Sequence, residues 1–274
     1  MTSCGQLAGV AADRQRCERK GAAEPQRRRW LDWLLPPVCL VCGDPLTRGP
    51  ARVCELCWSR AQPQRPPLCA RCGISLHDIG IAASTSSCTE CADWLPYLRL
   101  ARAPYVMAGT AAAMVHALKY GGWRGLAGEM GARMAEVHLG SLVEREIAVI
   151  VPVPLSRVRQ RQRGFNQAEL LAASVAGRRG WPLLTGALVR GRHTRRQARL
   201  SPRERLSNVR GAFQVVPSRR SELEDRHLLL VDDVLTTAAT AQDCVRALCE
   251  AGARAVSVLT FARARRELPR HESS

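Results

Sequence analysis

The sequence predicts an α/β protein in which helices flank a parallel β-sheet and a small cysteine-rich module comes first. Three observations predict it. Four Cys-x-x-Cys pairs are confined to residues 39–91, strand-like and helix-like patterns alternate after residue 101, and an apolar run at 228–231 ends in two adjacent acids. Apolar strands that alternate with helices are typical of parallel sheets.

The same observations divide the chain into four parts. We expect a disordered basic extension over 1–29, a double zinc-ribbon module over 30–100, an α/β domain over 101–262 and a basic tail over 263–274. The first 29 residues lack the apolar core of a secretory signal, and no stretch approaches the roughly 20 apolar residues of a membrane helix. We therefore expect a cytoplasmic protein without a membrane span.

The eight patterned cysteines predict two structural zinc sites. Two residues separate the sulfurs of each pair, and 11, 11 and 15 residues separate successive pairs. One tetrahedral Zn²⁺ takes two such pairs, and four sulfurs leave no open position for catalysis. A crossed pairing is the alternative, whereas a disulfide framework is disfavoured without an export signal. Successive pairing assigns Cys39, Cys42, Cys54 and Cys57 to one zinc, and Cys69, Cys72, Cys88 and Cys91 to the other.

The positive charge of the chain is concentrated in one segment. Residues 151–220 hold 16 Arg, no Lys and 2 Glu, which is +14 of the formal net charge of +17. Such a balance indicates phosphorylated ligands or nucleic acid, and a solvated arginine-rich surface is the alternative. In the ribbons, Arg52, Arg60, Arg65 and Arg71 would permit nucleic acid without requiring it.

The α/β part reads as alternating elements whose ligand edge is the carboxyl end of the sheet. The periodicity of apolar residues predicts each element in turn. Helices are expected over Ala111–Tyr120, Leu126–Leu139, Asn166–Arg178 and Thr237–Ala251, and strands over Ile147–Val153, Leu183–Val189, Leu228–Val231 and Ala255–Phe261.

The segment 228–240 combines an acid pair with a phosphate-type turn. Asp232 and Asp233 could hold sugar hydroxyls or a metal ion. The small and hydroxyl residues of 236–240 could hold a phosphate at the start of a helix. A receiver domain is excluded because only 41 residues follow Asp233, and the glycines and lysine of a Walker P-loop are missing.

Two further segments are expected at the same edge. Val151–Leu155 leads through Arg157, Arg159, Arg161 and Arg163 to Asn166, a helix N-cap candidate, and these cations would suit a multiply charged phosphate. Residues 190–213 are long and polar and read as a lid or binding loop. An exposed basic loop and a surface insertion are the respective alternatives.

In this order, the segments resemble the ComF family of competence-associated proteins, which has a type I phosphoribosyltransferase-like fold. The match covers about residues 37–262. It is carried by the four Cys-x-x-Cys pairs, Lys119 in Leu-Lys-Tyr, Val-Pro-Val-Pro at 151–154, Arg-Gly-Phe-Asn-Gln at 163–167, Thr194, Gln197, Arg203, Asn208 and Phe213, and Asp-Asp-Val-Leu-Thr-Thr-Ala-Ala-Thr at 232–240.

The resemblance implies that the ligand is 5-phosphoribosyl pyrophosphate with Mg²⁺. It implies that the two acids hold ribose hydroxyls and that the following turn holds the 5′-phosphate. It also implies that Val151–Pro154, with Lys119 and Arg163 nearby, is the pyrophosphate side and that 190–213 is a hood loop. The family usually has Gly at Ala238, and Ala is tolerated if its φ is negative. The implied catalytic residues are Asp232, Asp233, Lys119 and Arg163. The implied binding residues are Thr236, Thr237, Ala238, Ala239, Thr240, Val151, Pro152, Val153, Pro154, Asn166 and Gln167.

Two functions follow from the resemblance. The first is phosphoribosyl transfer linked to DNA uptake, with an acceptor that the sequence does not identify. The second is a non-catalytic accessory of DNA uptake or recombination, in which the phosphoribosyl site is a sensor or relic. The partners would then be single-stranded DNA or DNA-uptake proteins, a reading that rests on association with the family. The oligomeric state is left open.

Overall fold

A computed structural model of the chain describes residues 37–46, 51–79, 88–191 and 211–265. None of the helices in these ranges is long and apolar enough to cross a membrane. Several predictions lie outside the described residues: the N-terminal extension 1–29, the hood residues Thr194, Gln197, Arg203 and Asn208, and the tail from residue 266.

A five-stranded parallel sheet forms the centre of the chain. Its order is β1-β7-β6-β3, and the short β2 continues the β1 edge by pairing with β7. β4 and β5 form a separate antiparallel hairpin. The strands are β1 (Leu98–Arg102), β2 (Tyr105–Val106), β3 (Ile147–Pro152), β4 (Leu188–Arg190), β5 (Phe213–Val215), β6 (His227–Leu235) and β7 (Ala255–Arg263).

Seven α-helices surround this sheet in the described ranges. They are α1 (Glu55–Ser59), α2 (Gly109–Tyr120), α3 (Leu126–Ala135), α4 (Ser141–Glu146), α5 (Arg157–Arg163), α6 (Gln167–Arg179) and α7 (Ala239–Glu250). Short 3₁₀ turns lie at His77–Ile79, Thr89–Cys91 and Pro217–Glu222. The predicted parallel sheet flanked by helices, with a cysteine-rich region before it, is confirmed.

Each face of the sheet packs against one of the two cysteine clusters. Neighbouring residues of β6 point to opposite faces, so Leu228 and Leu230 belong to one core and Leu229 and Val231 to the other. The first core contains α7 and the cluster at 69–91, and the second contains α2, α3, α6 and the cluster at 39–57. The ribbons therefore extend the cores of the sheet.

Four sequence predictions differ from the structure. The arginine-rich loop is a helix, α5, because the Ser156 hydroxyl accepts from the backbone N–H of Arg159 and caps its start. β6 continues to Leu235, so the acid pair lies within the strand. The predicted strand 183–189 is reduced to β4, with only a bridge from Leu183 to Ile150. The helix predicted to reach Leu139 ends at Ala135.

Arg263 was assigned to the frayed tail, and this is wrong. Arg263 is the last residue of β7 and is almost fully buried. Its guanidinium donates to the carbonyl of Cys72 at 2.8 Å and lies 5.8 Å from the centre of the Trp94 ring. A buried cation needs such partners because it has lost its water, and they are supplied by residues almost 200 positions away.

His227 opens β6 at the edge of the sheet opposite the ligand edge. Its Nδ1 lies 3.2 Å from the Glu146 carboxylate and its Nε2 lies 2.9 Å from the Ser257 hydroxyl. Burial lowers the pKa of His227, against the opposing effect of Glu146, while Arg254 and Arg99 add to the lowering. The folded protein therefore prefers the neutral imidazole.

We expect this histidine to make the protein less stable in mild acid. Because the unfolded chain binds the proton first, the stabilising contribution is complete above about pH 6.5 and decreases below it. Replacing His227 by Gln should reduce the difference in unfolding free energy between pH 7.5 and pH 5.5. Urea unfolding at the two pH values measures this difference, and an unchanged difference in the variant contradicts the assignment.

Candidate functional site

The eight patterned cysteines form the two four-sulfur groups predicted by successive pairing. One group is Cys39, Cys42, Cys54 and Cys57, and the other is Cys69, Cys72, Cys88 and Cys91. Sulfur–sulfur distances of 3.5–3.8 Å within these groups match the edge of about 3.8 Å in a ZnS₄ tetrahedron with Zn–S bonds of about 2.3 Å. The chain therefore has two structural zinc sites, and the crossed pairing is excluded.

The two clusters differ in their exposure to solvent. All four sulfur-bearing residues of the second cluster are at most 3% exposed, whereas Cys42 of the first cluster is exposed. Arg71, between two ligands of the second cluster, donates to the carbonyls of Cys91, Trp94 and Leu95. The Arg71 guanidinium therefore holds the ribbon together. Because its donors are used in this way, Arg71 is not available for nucleic acid.

The acid pair meets a lysine from a distant helix. Asp233 on β6 is buried, and its Oδ2 lies 2.8 Å from Nζ of Lys119 at the end of α2. Asp232 points to the other face of the sheet and is partly buried. Burial, and next the charge of Asp233, raise the pKa of Asp232 to about 8. The two neighbouring carboxyl groups thus lie in different surroundings, because only Asp233 is paired with Lys119.

The turn after β6 opens α7, as the sequence predicts for a phosphate site. Thr236 is exposed, while Ala238 is the N-cap residue and is buried. The turn and Asp232 line a small cavity of about 30 Å³ together with Val153 and Thr260. Backbone N–H groups at the start of a helix carry partial positive charge and favour an anion.

Ala238 does not have the negative φ under which an alanine was expected to be tolerated at this position. Its φ is +60° and its ψ is +5°, in the left-handed region. An alanine there places Cβ close to the following carbonyl oxygen, at a cost of about 1–2 kcal/mol. The tolerance expected for a negative φ therefore does not apply, and the position holds strain that a glycine would lack.

Replacing Ala238 by Gly should stabilise the protein by about 0.5–1 kcal/mol. Relief of the left-handed strain outweighs the extra freedom that glycine adds to the unfolded chain. Denaturant unfolding measures the change. Ala247→Gly, in the middle of the same helix, is the matched control and should lose about 1 kcal/mol or more, since its backbone is unstrained. A less stable Ala238→Gly protein contradicts the prediction.

The Val-Pro-Val-Pro segment is less open than a ligand loop. Residues 151–153 are buried at the end of β3. The N–H of Val153 donates to the carbonyl of Val231 at 2.9 Å, and neither proline has an N–H. This segment, Val151, Pro152, Val153 and Pro154, therefore shapes the edge of the sheet, and residues 152–154 have no backbone N–H free to bind a ligand. Any positive charge that binds a pyrophosphate here must come from side chains.

Arg163 and Lys119, the two cations that the sequence predicts for the site, both lie near Asp233. Arg163 donates to the Gln167 side chain and lies 5.3 Å from the centre of the Tyr120 ring. Burial lowers the pKa of Arg163, and the charge of Asp233 acts against this shift. Asn166 is the N-cap of α6 as predicted, and its amide donates to the carbonyl of Val153 at 3.0 Å. Asn166 and Gln167 are both buried and hold neighbouring groups in place.

Two residues at this edge were missed by sequence reasoning. Arg190 on β4 lies 5.2 Å from the centre of the Phe213 ring, and its charge interacts with Asp232. Asp243 on α7 is buried and accepts backbone N–H groups from Gly211, Ala212 and Phe213. Neither has a local motif, because each is defined by contacts to distant segments.

Comparison with known structures gives limited similarity. A glutamine phosphoribosylpyrophosphate amidotransferase from Bacillus subtilis, complexed with ADP and GMP, matches 48% of this chain and 25% of its own at 24% identity and a TM-score of 0.33. The allosteric regulatory enzyme of purine biosynthesis matches 56% and 26% at a TM-score of 0.30. Similarities of this extent add nothing to what the sheet itself shows.

Comparison with known sequences is more extensive. The family model of the double zinc ribbon domain matches residues 30–92. Competence protein F of Haemophilus influenzae is 37% identical over 115 residues, which is 42% of this chain and 50% of that protein. Competence protein ComFC of Bacillus subtilis is 34% identical over 113 residues, 41% of this chain and 42% of that protein.

A further match extends over nearly the whole length of the relative. The DNA utilization protein YhgH of Escherichia coli is 30% identical over 237 residues, which is 84% of this chain and 98% of that protein. The chain therefore belongs to the ComF family, together with the DNA utilization protein YhgH and the competence proteins F and ComFC.

Proposed function

We propose that the protein binds 5-phosphoribosyl pyrophosphate at the carboxyl edge of the sheet and transfers its phosphoribosyl group in the cytoplasm during DNA uptake or utilization. The observation that carries the proposal is the meeting of three groups at one edge. These are the acid pair of β6, the phosphate-type turn at 236–240 and Lys119, paired with Asp233 at 2.8 Å. A sugar that carries phosphate at both ends would use all three.

The pairing of Asp233 and the raised pKa of Asp232 favour sugar hydroxyls over a metal ion as the ligand of the two acids. Asp233 is already paired with Lys119, and the raised pKa of Asp232 makes its carboxyl a weaker partner for a cation at neutral pH. Both carboxyl groups can still exchange hydrogen bonds with hydroxyls. Mg²⁺ would then be held mainly by the pyrophosphate, where it would supply positive charge to the leaving group.

The chain's own groups suit a transfer that depends on positioning and charge. A lone pair of the acceptor forms the bond to C1 of the ribose while the C1–oxygen bond breaks, its electron pair leaves with pyrophosphate, and the acceptor's proton passes to water. In this scheme Arg163 and Lys119 would neutralise negative charge on the pyrophosphate, and the acids would orient the ring. No general base is required by this scheme.

Isothermal titration of the zinc-loaded protein tests the proposal. Saturable binding is expected for 5-phosphoribosyl pyrophosphate with Mg²⁺, and about tenfold or more weaker binding for ribose 5-phosphate, which lacks the pyrophosphate that the cations would hold. Equal binding of the two ligands, or no heat from a protein that retains both zinc ions, would exclude this ligand.

A second function, binding of single-stranded DNA, is favoured by one exposed surface. Tyr120, the last residue of α2, is 69% exposed, and Trp123, in the turn between α2 and α3, is 46% exposed. Arg124 in this turn donates to the carbonyl of Gly164, and Arg163 lies over the Tyr120 ring, so the turn is held against α5. Exposed aromatics beside cations are typical of stacking surfaces for single strands.

Fluorescence anisotropy with an oligothymidylate tests this surface. The affinity of the wild type should fall steeply with salt, since phosphate contacts release counterions. Tyr120→Ala and Trp123→Ala should each weaken binding by about 1–3 kcal/mol. Tyr97→Ala is the matched control, because Tyr97 is 53% exposed but precedes β1 at the opposite edge. An affinity independent of salt, or equal losses in all three variants, would rule the surface out.

A further inference from the structure

A second and larger cavity lies beside the phosphate-type turn. Its volume is about 550 Å³, in the range of small-molecule sites. Val153 lines the small cavity at the turn, and the next residue, Pro154, lines the large one, so the two are neighbours along the end of β3. The cavity is bounded by the start of α5 and by β4. No residue of the acid pair or the turn lines it.

The polar lining of this cavity is dominated by two arginines. Arg157 and Arg190 face one carboxylate, Glu169, and one amide, Gln160, while Leu155 and Leu188 supply apolar surface. The Glu169 carboxylate already accepts the Asn166 amide at 3.3 Å. The lining therefore has a surplus of positive charge beside an apolar wall. A ligand with one oxyanion and an apolar body would match both.

Arg190 is held in place more firmly than a surface arginine. Its backbone bridges to Ser156, the cap of α5, and its guanidinium lies over the Phe213 ring. That ring is buried, and the Phe213 N–H is bound by the Asp243 carboxylate at 3.1 Å. Asp243 belongs to α7, the helix that the phosphate-type turn opens. Arg190 is thus positioned against the same helix, with its charge in range of Asp232.

We propose that this cavity is the acceptor subsite, and that it takes a small acceptor whose carboxylate or phosphate group is bound by Arg190 and Arg157. The inference rests on the proposed function for the identity of the other substrate. The apolar wall holds the body of the acceptor, and its nucleophilic atom faces the ribose held by the acid pair. A bidentate guanidinium contact explains why an arginine is needed at this position.

Three aromatic probes test the charge requirement. Benzoate carries a carboxylate and phenyl phosphate carries a phosphate, the two anionic groups that the proposal allows. Benzamide is the uncharged counterpart of benzoate. Binding to the zinc-loaded full chain is measured by ligand-observed NMR, with and without 5-phosphoribosyl pyrophosphate and Mg²⁺. We expect one or both anions to bind at least about tenfold more tightly than benzamide, which corresponds to one charge-assisted contact.

The variants locate the contact. Arg190→Gln should remove the preference for the anion and Arg190→Lys should restore part of it. Arg157→Gln, at an exposed position, should reduce the preference without affecting folding. Arg161→Gln is the control, because Arg161 is exposed on α5 but does not line the cavity. The affinity for 5-phosphoribosyl pyrophosphate should change by less than about threefold.

The possible failures are distinguishable. Equal binding of benzamide and benzoate, absence of binding by all three probes, or a preference that survives in both Gln variants overturns the inference. A loss of 5-phosphoribosyl pyrophosphate affinity in Arg190→Gln as large as the loss for the probes also overturns it, since Arg190 would then belong to the other ligand. If the wild type keeps the anion preference but does not bind 5-phosphoribosyl pyrophosphate, the proposed function fails and the acceptor assignment fails with it.

Discussion

Replacing Cys72 by Ser should prevent the protein from folding, whereas the same change at Cys42 should leave a folded protein. Cys72 is fully buried in the core that contains α7, and its cluster is entirely enclosed. A structural Zn²⁺ contributes about 10–16 kcal/mol of binding free energy in small zinc domains. This is comparable with or larger than the net stability of about 5–15 kcal/mol of a typical domain.

Electrostatics makes the loss at Cys72 worse. A zinc ion with four thiolates carries a net charge of −2, and the buried Arg263 and the half-buried Arg102 lie within electrostatic range of it. Without the negative charge of the metal site, Arg263 would be a buried cation with only neutral partners, the Cys72 carbonyl and the Trp94 ring, which is costly. In the first cluster the Cys42 sulfur is exposed, so water can take its place.

Zinc content, near-ultraviolet circular dichroism and thermal unfolding of the two variants measure the difference. Cys42→Ser should retain a cooperative transition, and a chelator should remove its first-cluster zinc faster than in the wild type. In the wild type, chelation should release zinc in two phases, one per cluster. Two results would contradict this prediction. One is a soluble Cys72→Ser protein with an unchanged thermal transition, and the other is a Cys42→Ser protein that loses as much stability as Cys72→Ser. Either would show that burial of a cluster does not decide how much it contributes to folding.

Replacing Asp233 by Asn should weaken binding of 5-phosphoribosyl pyrophosphate by about 10- to 100-fold. The carboxylate is 4% exposed and paired with Lys119, so it is held in one orientation for the ribose hydroxyls. Loss of one charge-assisted hydrogen bond costs about 1.5–3 kcal/mol. The amide keeps the shape of the side chain and removes its charge. Titration of the zinc-loaded variant gives the affinity.

Two further variants separate binding from structure. Asp225→Asn applies the same chemistry at an exposed position before β6 and should leave the affinity unchanged. Lys119→Gln should weaken binding less than Asp233→Asn, since Lys119 is partly exposed. In cells, Asp233→Asn should abolish DNA uptake or utilization while DNA binding in vitro persists. If Asp233→Asn binds 5-phosphoribosyl pyrophosphate as tightly as the wild type, the acid pair does not belong to the binding site.

Parts of the fold and site follow from residues that are close in sequence. The spacing of the cysteines predicted both metal sites and their pairing, because two sulfurs two residues apart can share one metal whatever surrounds them. Asn166 predicted the start of α6 because an N-cap bonds to the backbone two or three residues later. The run from 228 to 240 predicted a strand, an acid pair and a helix start, and all three occur.

The rest depended on how distant segments pack. The pairing of Lys119 with Asp233 joins residues more than 100 positions apart, and Arg263 satisfies a carbonyl of the zinc ribbon across the sheet. The left-handed backbone of Ala238 has no sign in a run of small residues, since alanine ordinarily favours helix. The arginine-rich segment gave no helical apolar pattern, yet Ser156 caps it as a helix.

By itself, the sequence determined the metal chemistry, the alternation of the main strands and helices and the position of the acid pair and its turn, because each depends on interactions within a few residues. Only the tertiary structure decided which cation pairs with which acid, that each zinc ribbon extends a different core, and that Arg190 lies beside the turn. Such contacts are made by the packing of the two faces of the sheet, and no local spacing encodes them.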